Sequence, residues 1–351
     1  MNEFEYTRAA TIAEALDLMT SVPADATGSR RGSDAFDDAP AYLAGGTNLV
    51  DHLRLGVRTP SRVVDISLLD LGGITETTDG GLRIGANVRN ADLANHPLVR
   101  QRYPFVSEAL LSGASGQIRA MASTGGNLLQ RTRCVYFQDV TTPCSKREPG
   151  SGCSAREGFG RYNALIGQSP ECVAVHPSDL CVPLAALDAR VHVVGPGGER
   201  TVPFTELHRL PGDEPWRDTT LRPGEIITAI ELEPLDWATR STYRKVRDRA
   251  SYAFALISVA AALDLEPAHG GGAPVVRDAR LALGGVSHKP HRASTAEDAM
   301  RGETATRETF AAAIAAELAD AEAGEENAYK LPMLKRTVTS VLVGLTDGES
   351  R

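Results

Sequence analysis

The placement of the cysteines is the feature that most constrains how this chain can fold. Four of the five cysteines lie between residues 134 and 172, in a stretch that is polar and rich in glycine and proline. A free cysteine is usually buried in an apolar interior, which such a stretch does not provide. The loop therefore needs an anchor in place of a hydrophobic core. Four thiolates can supply it, because a tetrahedral zinc ion and a cubane iron–sulfur cluster both accept all-cysteine ligand sets.

The spacing of the cysteines narrows the choice of anchor. There is no C-x-x-C pair, so zinc ribbons, zinc fingers and the bacterial ferredoxin pattern fit poorly. Disulfides remain the main alternative to a metal. Lys146, Arg147 and Arg133 are predicted to offset the negative charge of a thiolate-rich site. The fifth cysteine, Cys181, lies in an apolar segment and is predicted to be part of the core.

Length and charge exclude some classes of function. At 351 residues the chain is too long for one ordinary core, so two or three domains are expected. A net charge of −8 argues against binding nucleic acid through its phosphates. The longest largely apolar run, residues 253–263, is shorter than the roughly 20 residues that cross a bilayer, so no membrane insertion is expected. The N-terminal residues lack a secretory signal pattern, which predicts a cytoplasmic protein.

Hydrophobic periodicity and turn residues predict an α+β organisation with two domains. The first domain begins with a helix capped by Thr11 and Glu14, has a largely helical segment over 89–114 and ends with a hairpin over 190–204. From residue 236 a smaller domain is predicted, with a new sheet around a glycine-rich turn at 270–272 and helices at its C-terminal end. The Ser-, Gly- and Asp-rich stretch between residues 22 and 40 is predicted to be a surface loop.

Two glycine pairs indicate a phosphate-bearing ligand. They lie in "LAGGTNL" at 43–49 and in "ASTGGNLLQ" at 122–130. Glycine permits φ > 0 and lets successive backbone N–H groups approach an anion such as a diphosphate. Neither segment matches G-x-G-x-x-G or the P-loop, and each alone is compatible with an ordinary turn. Together they favour a nucleotide cofactor held from two sides.

The segment "HPSDL" at 176–180 has two interpretations. Ser178 or Asp179 can cap the helix that follows. An aspartate at this position can equally bind a ribose or ribityl hydroxyl. The residues alone leave both interpretations open.

Six segments, taken in order, resemble successive signatures of one family. They are "LAGGTNLVDHLRLG", "GQIRAMASTGGNL", "HPSDL", "LRPGEIITAIEL", "YRKVRDRASYAFALISVAAAL" and "LALGGVSHKPHRA". The set resembles the FAD-binding medium subunits of the molybdenum hydroxylases, the family of xanthine dehydrogenase, aldehyde oxidoreductase and CO dehydrogenase. The cysteine stretch resembles the 4Fe–4S-containing branch, of the periplasmic aldehyde oxidoreductase type. The implied fold is α+β: a two-part FAD-binding domain of the vanillyl-alcohol-oxidase (PCMH) type over 1–235, with a 4Fe–4S loop at 131–173, then a CO dehydrogenase flavoprotein C-terminal domain over 236–351.

The resemblance also implies site residues. The first glycine loop would wrap the FAD diphosphate, with amides of Gly45, Gly46 and Thr47 as donors, and the second would form the phosphate and ribityl wall. Asp179 would take a cofactor hydroxyl, and Lys245 would stabilise the reduced, anionic flavin, although without the family it would be taken for an exposed strand lysine. The implied FAD contacts are Leu43, Ala44, Gly45, Gly46, Thr47, Asn48, Leu49, Ser123, Thr124, Gly125, Gly126, Asn127, Asp179, Ile227 and Lys245. The implied cluster ligands are Cys134, Cys144, Cys153 and Cys172.

The function implied by the resemblance is electron transfer within a heterotrimer. A large partner subunit with the molybdenum cofactor would oxidise an aldehyde- or xanthine-type substrate. A small partner subunit with 2Fe–2S clusters would pass the electrons to FAD on this chain, and FAD would pass them to an external acceptor. Two alternatives are a free-standing FAD oxidase of the same fold and a zinc-stabilised interaction module without flavin. Export to the periplasm on a partner's twin-arginine signal is the alternative to a cytoplasmic location.

Overall fold

Three β-sheets and the helices packed on them make an α+β fold. The structure is a computed structural model that describes residues 2–20, 39–268 and 272–348. Most of the predicted surface loop at 22–40, and residues 270 and 271 of the predicted glycine-rich turn, lie outside the described residues.

Short helices and strands are interspersed along the chain up to residue 235. In chain order they are β1 (Glu5–Arg8), α1 (Ile12–Thr20), β2 (Ala41–Leu43), α2 (Leu49–Leu55), β3 (Arg62–Asp65), β4 (Ile74–Glu76), β5 (Leu82–Gly85), α3 (Asn90–Asn95), α4 (Pro97–Arg102), α5 (Pro104–Ser112), α6 (Gly116–Met121), α7 (Thr124–Leu128), α8 (Val135–Gln138), α9 (Cys181–Ala186), β6 (Arg190–Gly195), β7 (Gly198–Pro203), α10 (Phe204–Leu207) and β8 (Ile226–Leu232). The later elements are β9 (Ser241–Val246), β10 (Ile257–Glu266), β11 (Val275–Gly284), β12 (His291–Arg292), α11 (Ser294–Met300), α12 (Arg307–Glu317) and α13 (Lys330–Asp347).

The strands form one parallel and two antiparallel sheets. The parallel sheet has the order β1-β3-β2, and the two antiparallel sheets have the orders β4-β5-β8-β6-β7 and β12-β11-β10-β9. The predicted hairpin over 190–204 is β6 and β7, whose ends pair Gly195 with Gly198. The predicted new sheet after residue 236 is β9 to β12. Strands β1, β4, β8 and β12 were not predicted; of these, β1, β4 and β12 are short segments without a clear alternating pattern.

Local signals explain where several helices begin. Thr11 caps α1 as predicted, since its Oγ1 accepts the N–H of Glu14 at 3.1 Å. The segment over 89–114, predicted as largely helical, is divided into short helices because Pro97 and Pro104 each start a new one. Proline lacks the N–H that a continuous helix requires, but it fits the first helical position.

Strand β10 packs against a different hydrophobic core on each of its two faces. Its residues alternate between faces, and nearly all of them are buried. Ile257, Val259 and Leu263 belong to the core that includes α12 and α13, whereas Ala260 and Ala262 belong to the core of the preceding sheet and helices. The small alanine side chains allow close packing on that side. This packing places β9 against α5, at the edge of the site described next.

Candidate functional site

A cavity of about 620 Å³ lies where the two glycine loops meet. Its volume is in the range of about 300–1,000 Å³ that is typical of ligand sites. The predicted FAD contacts that line it are Ala44, Gly45, Gly46, Thr47, Asn48, Leu49, Ser123, Gly125, Gly126, Asn127, Asp179, Ile227 and Lys245. Leu43 and Thr124 are not in its lining. Leu43 packs beside Gly46, and Thr124 turns its hydroxyl away to donate to the Val88 carbonyl at 2.8 Å.

The first glycine loop passes very close to the segment that leads into the second. A Cβ atom on Gly45 would lie 2.2 Å from the Met121 carbonyl oxygen and 2.9 Å from Ala122 Cα. Real Cβ atoms essentially never come within 3.0 Å of such neighbours. Gly46 follows with φ +72°, a conformation that side chains disfavour. The glycine pair is therefore what allows both loops to border one cavity.

The two loops differ in how their backbone N–H groups are used. Within the described part of the chain, the amides of Gly45, Gly46 and Thr47 donate to no protein acceptor. In the second loop, by contrast, Thr124 and Gly125 donate to the Val88 and Ala86 carbonyls at 2.9 and 2.8 Å. Consecutive unpaired N–H groups on a cavity wall are suited to binding an anion. The first loop therefore presents unpaired N–H groups to the cavity, and the N–H groups of Thr124 and Gly125 in the second loop are already used within the protein.

A buried ion pair forms another part of the cavity wall. Asp179 accepts from Lys245 Nζ at 2.8 Å on one oxygen and from the Tyr243 hydroxyl at 2.6 Å on the other. The Lys245 side chain is only 3% exposed. Burial, with the neighbouring carboxylate, raises the pKa of Tyr243 well above its ordinary value. The sequence motifs indicated Asp179 and Lys245 separately and left out Tyr243, although it is two residues from Lys245 on β9 and so on the same face.

In the "HPSDL" segment, Ser178 caps the following helix and Asp179 faces the cavity. Ser178 Oγ accepts the N–H of Cys181 at 3.2 Å, so it caps the first turn of α9. The same hydroxyl donates to Asn127 Oδ1 at 2.5 Å and holds that side chain at the cavity wall. Asp179 is left to face the cavity. Ile227, also buried, lines the cavity from β8.

The four clustered cysteines come together at a second, small cavity. Cys134, Cys144, Cys153 and Cys172 all line it. All five cysteines of the chain are free, so the disulfide alternative finds no support. The surrounding loop is tied to itself by Arg147, whose guanidinium donates to the carbonyls of Tyr136 and Phe137 at 2.9 and 2.8 Å, among other contacts.

The chemistry of the four free thiols fits a bound metal ion or metal cluster. Burial raises the pKa of Cys172 to about 12 and also raises the pKa of Cys134, so a bound metal would have to displace their protons. A tetrahedral zinc ion, with Zn–S near 2.3 Å, brings its sulfurs within about 3.8 Å of one another. In the described residues, no three of these sulfur atoms lie within 4.8 Å of one another. Four cysteine thiolates are a ligand set for either a zinc ion or an iron–sulfur cluster.

The three basic residues predicted to offset the cluster's charge have different roles. Lys146 lines the cysteine cavity. The Arg147 guanidinium donates to the backbone carbonyls of Tyr136 and Phe137. Arg133 pairs with Asp51 at 3.3 Å and stacks on Phe254. Of the three, Lys146 is the one that lines the cysteine cavity, and the compensation of a cluster's charge stays a prediction.

Comparison with known families decides the assignment. Residues 2–234 match the family model described as "FAD binding domain in molybdopterin dehydrogenase". Residues 241–344 match "CO dehydrogenase flavoprotein C-terminal domain". This chain belongs to the FAD-binding subunits of the molybdenum hydroxylases.

Relatives of this flavoprotein subunit align over almost all of it. It is 45% identical over 344 residues to the aldehyde oxidoreductase FAD-binding subunit PaoB of Escherichia coli K12, covering 97% of this chain and 98% of that one. It is 27% identical to the glyceraldehyde dehydrogenase medium chain of Sulfolobus acidocaldarius, covering 86% and 82%. The solved CO dehydrogenase of Hydrogenophaga pseudoflava has a chain with TM-score 0.70 at 24% identity, covering 97% and 96%. The predicted family, fold class and role as a flavoprotein subunit of a multi-subunit molybdenum hydroxylase are confirmed.

One further group of possible metal ligands in this flavoprotein subunit was not predicted. The ligand atoms of His176, Cys181 and His208 lie within 4.8 Å of one another in the described part of the chain. His176 accepts the Ser178 N–H at Nδ1, so its proton is on Nε2 and it has no free lone pair. Burial raises the pKa of Cys181 to about 12 and lowers the pKa of His208 to about 4. The three groups are thus neutral, and they form part of the core, as predicted for Cys181.

The helices of the described residues were compared with the length and hydropathy of membrane-spanning helices. None of them has both the length and the hydropathy that a membrane span needs.

Proposed function

We propose that this subunit binds FAD in the 620 Å³ cavity and transfers electrons from the 2Fe–2S clusters of a small partner subunit to an external acceptor. A large partner subunit with the molybdenum cofactor would oxidise an aldehyde- or xanthine-type substrate. The observation that carries the FAD site is the run of three unpartnered amides, Gly45 to Thr47, on a cavity that also contains the Asp179–Lys245 pair. The named relatives, an aldehyde oxidoreductase subunit and a glyceraldehyde dehydrogenase chain, support the aldehyde alternative.

Each part of the cavity has a proposed role toward FAD. The amides of the first glycine loop hold the diphosphate, and Asn127 with its neighbours forms the ribityl side. Asp179 keeps lone pairs for a cofactor hydroxyl after accepting from Lys245 and Tyr243. Lys245 supports the reduced flavin less than an isolated lysine would, because Asp179 balances its charge. FAD, when bound, supplies the electron-transfer chemistry, and the chain positions and tunes it.

The finer proposal for the cysteines is a 4Fe–4S cluster on Cys134, Cys144, Cys153 and Cys172. It is supported by their shared cavity and by the resemblance of the cysteine stretch to the 4Fe–4S-containing branch. Phe137 and Cys144 of the loop share a small apolar cluster with Val57, so a metal anchor has a structural purpose beside them. A zinc ion is the second candidate, favoured by the small volume of the cavity, about 10 Å³.

Domain boundaries and assembly are part of the same proposal. We place an FAD-binding domain at residues 1–235, with the cysteine loop at 131–173, and the C-terminal domain at 236–351. The ends of the two family matches, at residues 234 and 241, support this division. We propose a heterotrimer in the cytoplasm, with export on a partner's twin-arginine signal as the alternative location.

The deciding experiment is anaerobic purification followed by a visible spectrum and assays of iron, zinc and acid-labile sulfide. Flavin bands with about four irons and four sulfides per chain would support both cofactors. Flavin with one zinc per chain would mean that the cysteines hold a zinc ion instead of a cluster. A protein that takes up no FAD would refute the proposed function. Expression with the two partner genes tests the assembly, since a free-standing oxidase would co-purify with neither.

A further inference from the structure

One ionic network joins the FAD cavity to the cysteine cavity. Arg131 and Asp218 line the FAD cavity, and Lys146 lines the cysteine cavity. Lys146 Nζ donates to one oxygen of Asp218, and Arg131 Nε donates to the other at 2.7 Å. The Lys146 side chain is 1% exposed, although it belongs to a polar loop. A single carboxylate therefore bridges two cations that border different sites.

The position of the Lys146 ammonium is fixed by all three of its protons. Besides Asp218, its Nζ donates to the Pro215 carbonyl at 2.7 Å and lies 2.8 Å from His288 Nε2. His288 Nδ1 lies 3.2 Å from the Ala174 carbonyl, which can only accept, so His288 carries its proton there and presents a lone pair to the lysine. The ammonium thus has no donor left over and is held in one position.

Lys146 brings a buried positive charge to the cysteine site. It lines the cavity together with Cys134, Cys144, Cys153 and Cys172. Because screening by water is weak at buried groups, this charge acts on the cysteine site more strongly than a surface lysine would.

We propose that Lys146 sets the reduction potential of the cluster held by the four cysteines, and that Asp218 partly offsets the charge of Lys146 and links it to the FAD cavity. The inference rests on the proposed function, because it requires the cluster. Reduction adds one electron to a site that already carries negative thiolates, so a fixed cation beside it stabilises the reduced form and raises the potential. Of Arg133, Lys146 and Arg147, Lys146 is the one that lines the cysteine cavity.

The test is a potentiometric titration of the whole complex, with dithionite as the electron donor and the cluster followed by electron paramagnetic resonance. We expect Lys146→Met to lower the equilibrium constant for one-electron reduction at least tenfold, a shift of about 59 mV to lower potential. Asp218→Asn removes the opposing charge and is expected to shift the potential upward. Lys335→Met removes the same charge as Lys146→Met from an exposed position on α13 and should leave the potential unchanged.

The outcomes separate this inference from the proposal on which it rests. Iron and sulfide are assayed in every preparation, and a wild-type complex without iron refutes the cluster itself. With the cluster present, an unchanged potential in Lys146→Met refutes the role of Lys146. If Lys146→Met and Asp218→Asn shift the potential in the same direction, the role of Lys146 is refuted as well. Removing charges of opposite sign should shift the potential in opposite directions, whereas loosening of the loop would shift it the same way in both variants. If Lys146→Met fails to assemble, the upward shift in Asp218→Asn decides.

Discussion

Replacing Gly45 with alanine tests the contact that brings the two glycine loops together. The added Cβ atom would lie 2.2 Å from the Met121 carbonyl oxygen, a backbone atom that cannot rotate away as a flexible side chain could. To reach the 3.0 Å limit the loops must separate by about 0.8 Å (3.0 minus 2.2). Overpacking of this kind costs about 1–3 kcal/mol. That energy corresponds to a loss of FAD affinity between about 5-fold and 150-fold.

The affinity is measured by titrating the FAD-free protein with FAD and following flavin fluorescence, with thermal unfolding recorded before and after FAD is added. Gly116→Ala is the matched control, since no atom lies within 4 Å of its Cβ position and its φ is ordinary. We expect that variant to bind FAD as the wild type does and to be equally or slightly more stable. Wild-type affinity and wild-type stability in Gly45→Ala would refute the argument, because the close contact would then be without consequence.

Three further predictions concern the cysteine loop, the C-terminal domain and the ion pair. Cys134→Ser should remove iron and keep FAD, whereas Cys181→Ser, changed in the core, should keep both; metal assays check this. Lys330→Met should lower the free energy of unfolding by about 2–3 kcal/mol, because the buried ammonium donates to three backbone carbonyls. Burial lowers the pKa of Lys330 from its ordinary 10.5 to about 7. Between these two pH values the unfolded state keeps the proton and the folded state loses it, so the stability of the wild type should rise with pH. Lys245→Met leaves Asp179 buried without its cation and should weaken FAD binding at least tenfold in the fluorescence titration.

Each of these predictions has an outcome that contradicts it. Iron retained in Cys134→Ser, or lost in Cys181→Ser, would mean that the ligand set is different. A stability that rises with pH equally in the wild type and in Lys330→Met, measured by urea unfolding, would assign the pH dependence to another group. FAD affinity unchanged in Lys245→Met would remove the ion pair from the binding site.

Features encoded by neighbouring residues could be predicted from the sequence. The cap of α1 depends on Thr11 and Glu14, three residues apart, and the hairpin of β6 and β7 depends on the glycines at its turn. The glycine pairs and the clustered cysteines could be predicted for the same reason, since spacing and residue type alone restrict backbone conformation and metal chemistry. The ordered motifs then indicated the family and the fold.

The tertiary structure decided which of these residues act together. Asp179 meets Lys245 across 66 positions of sequence, and Lys146 meets Asp218 across 72. Gly45 requires its glycine only because the Met121 backbone crosses it. Such pairs depend on how sheets and loops close over long separations, which local patterns do not encode. Lys146 is the clearest example of what the sequence could not predict. Its polar loop predicts a solvated side chain, but the packing of that loop against Pro215 and His288 makes it a buried, fixed charge.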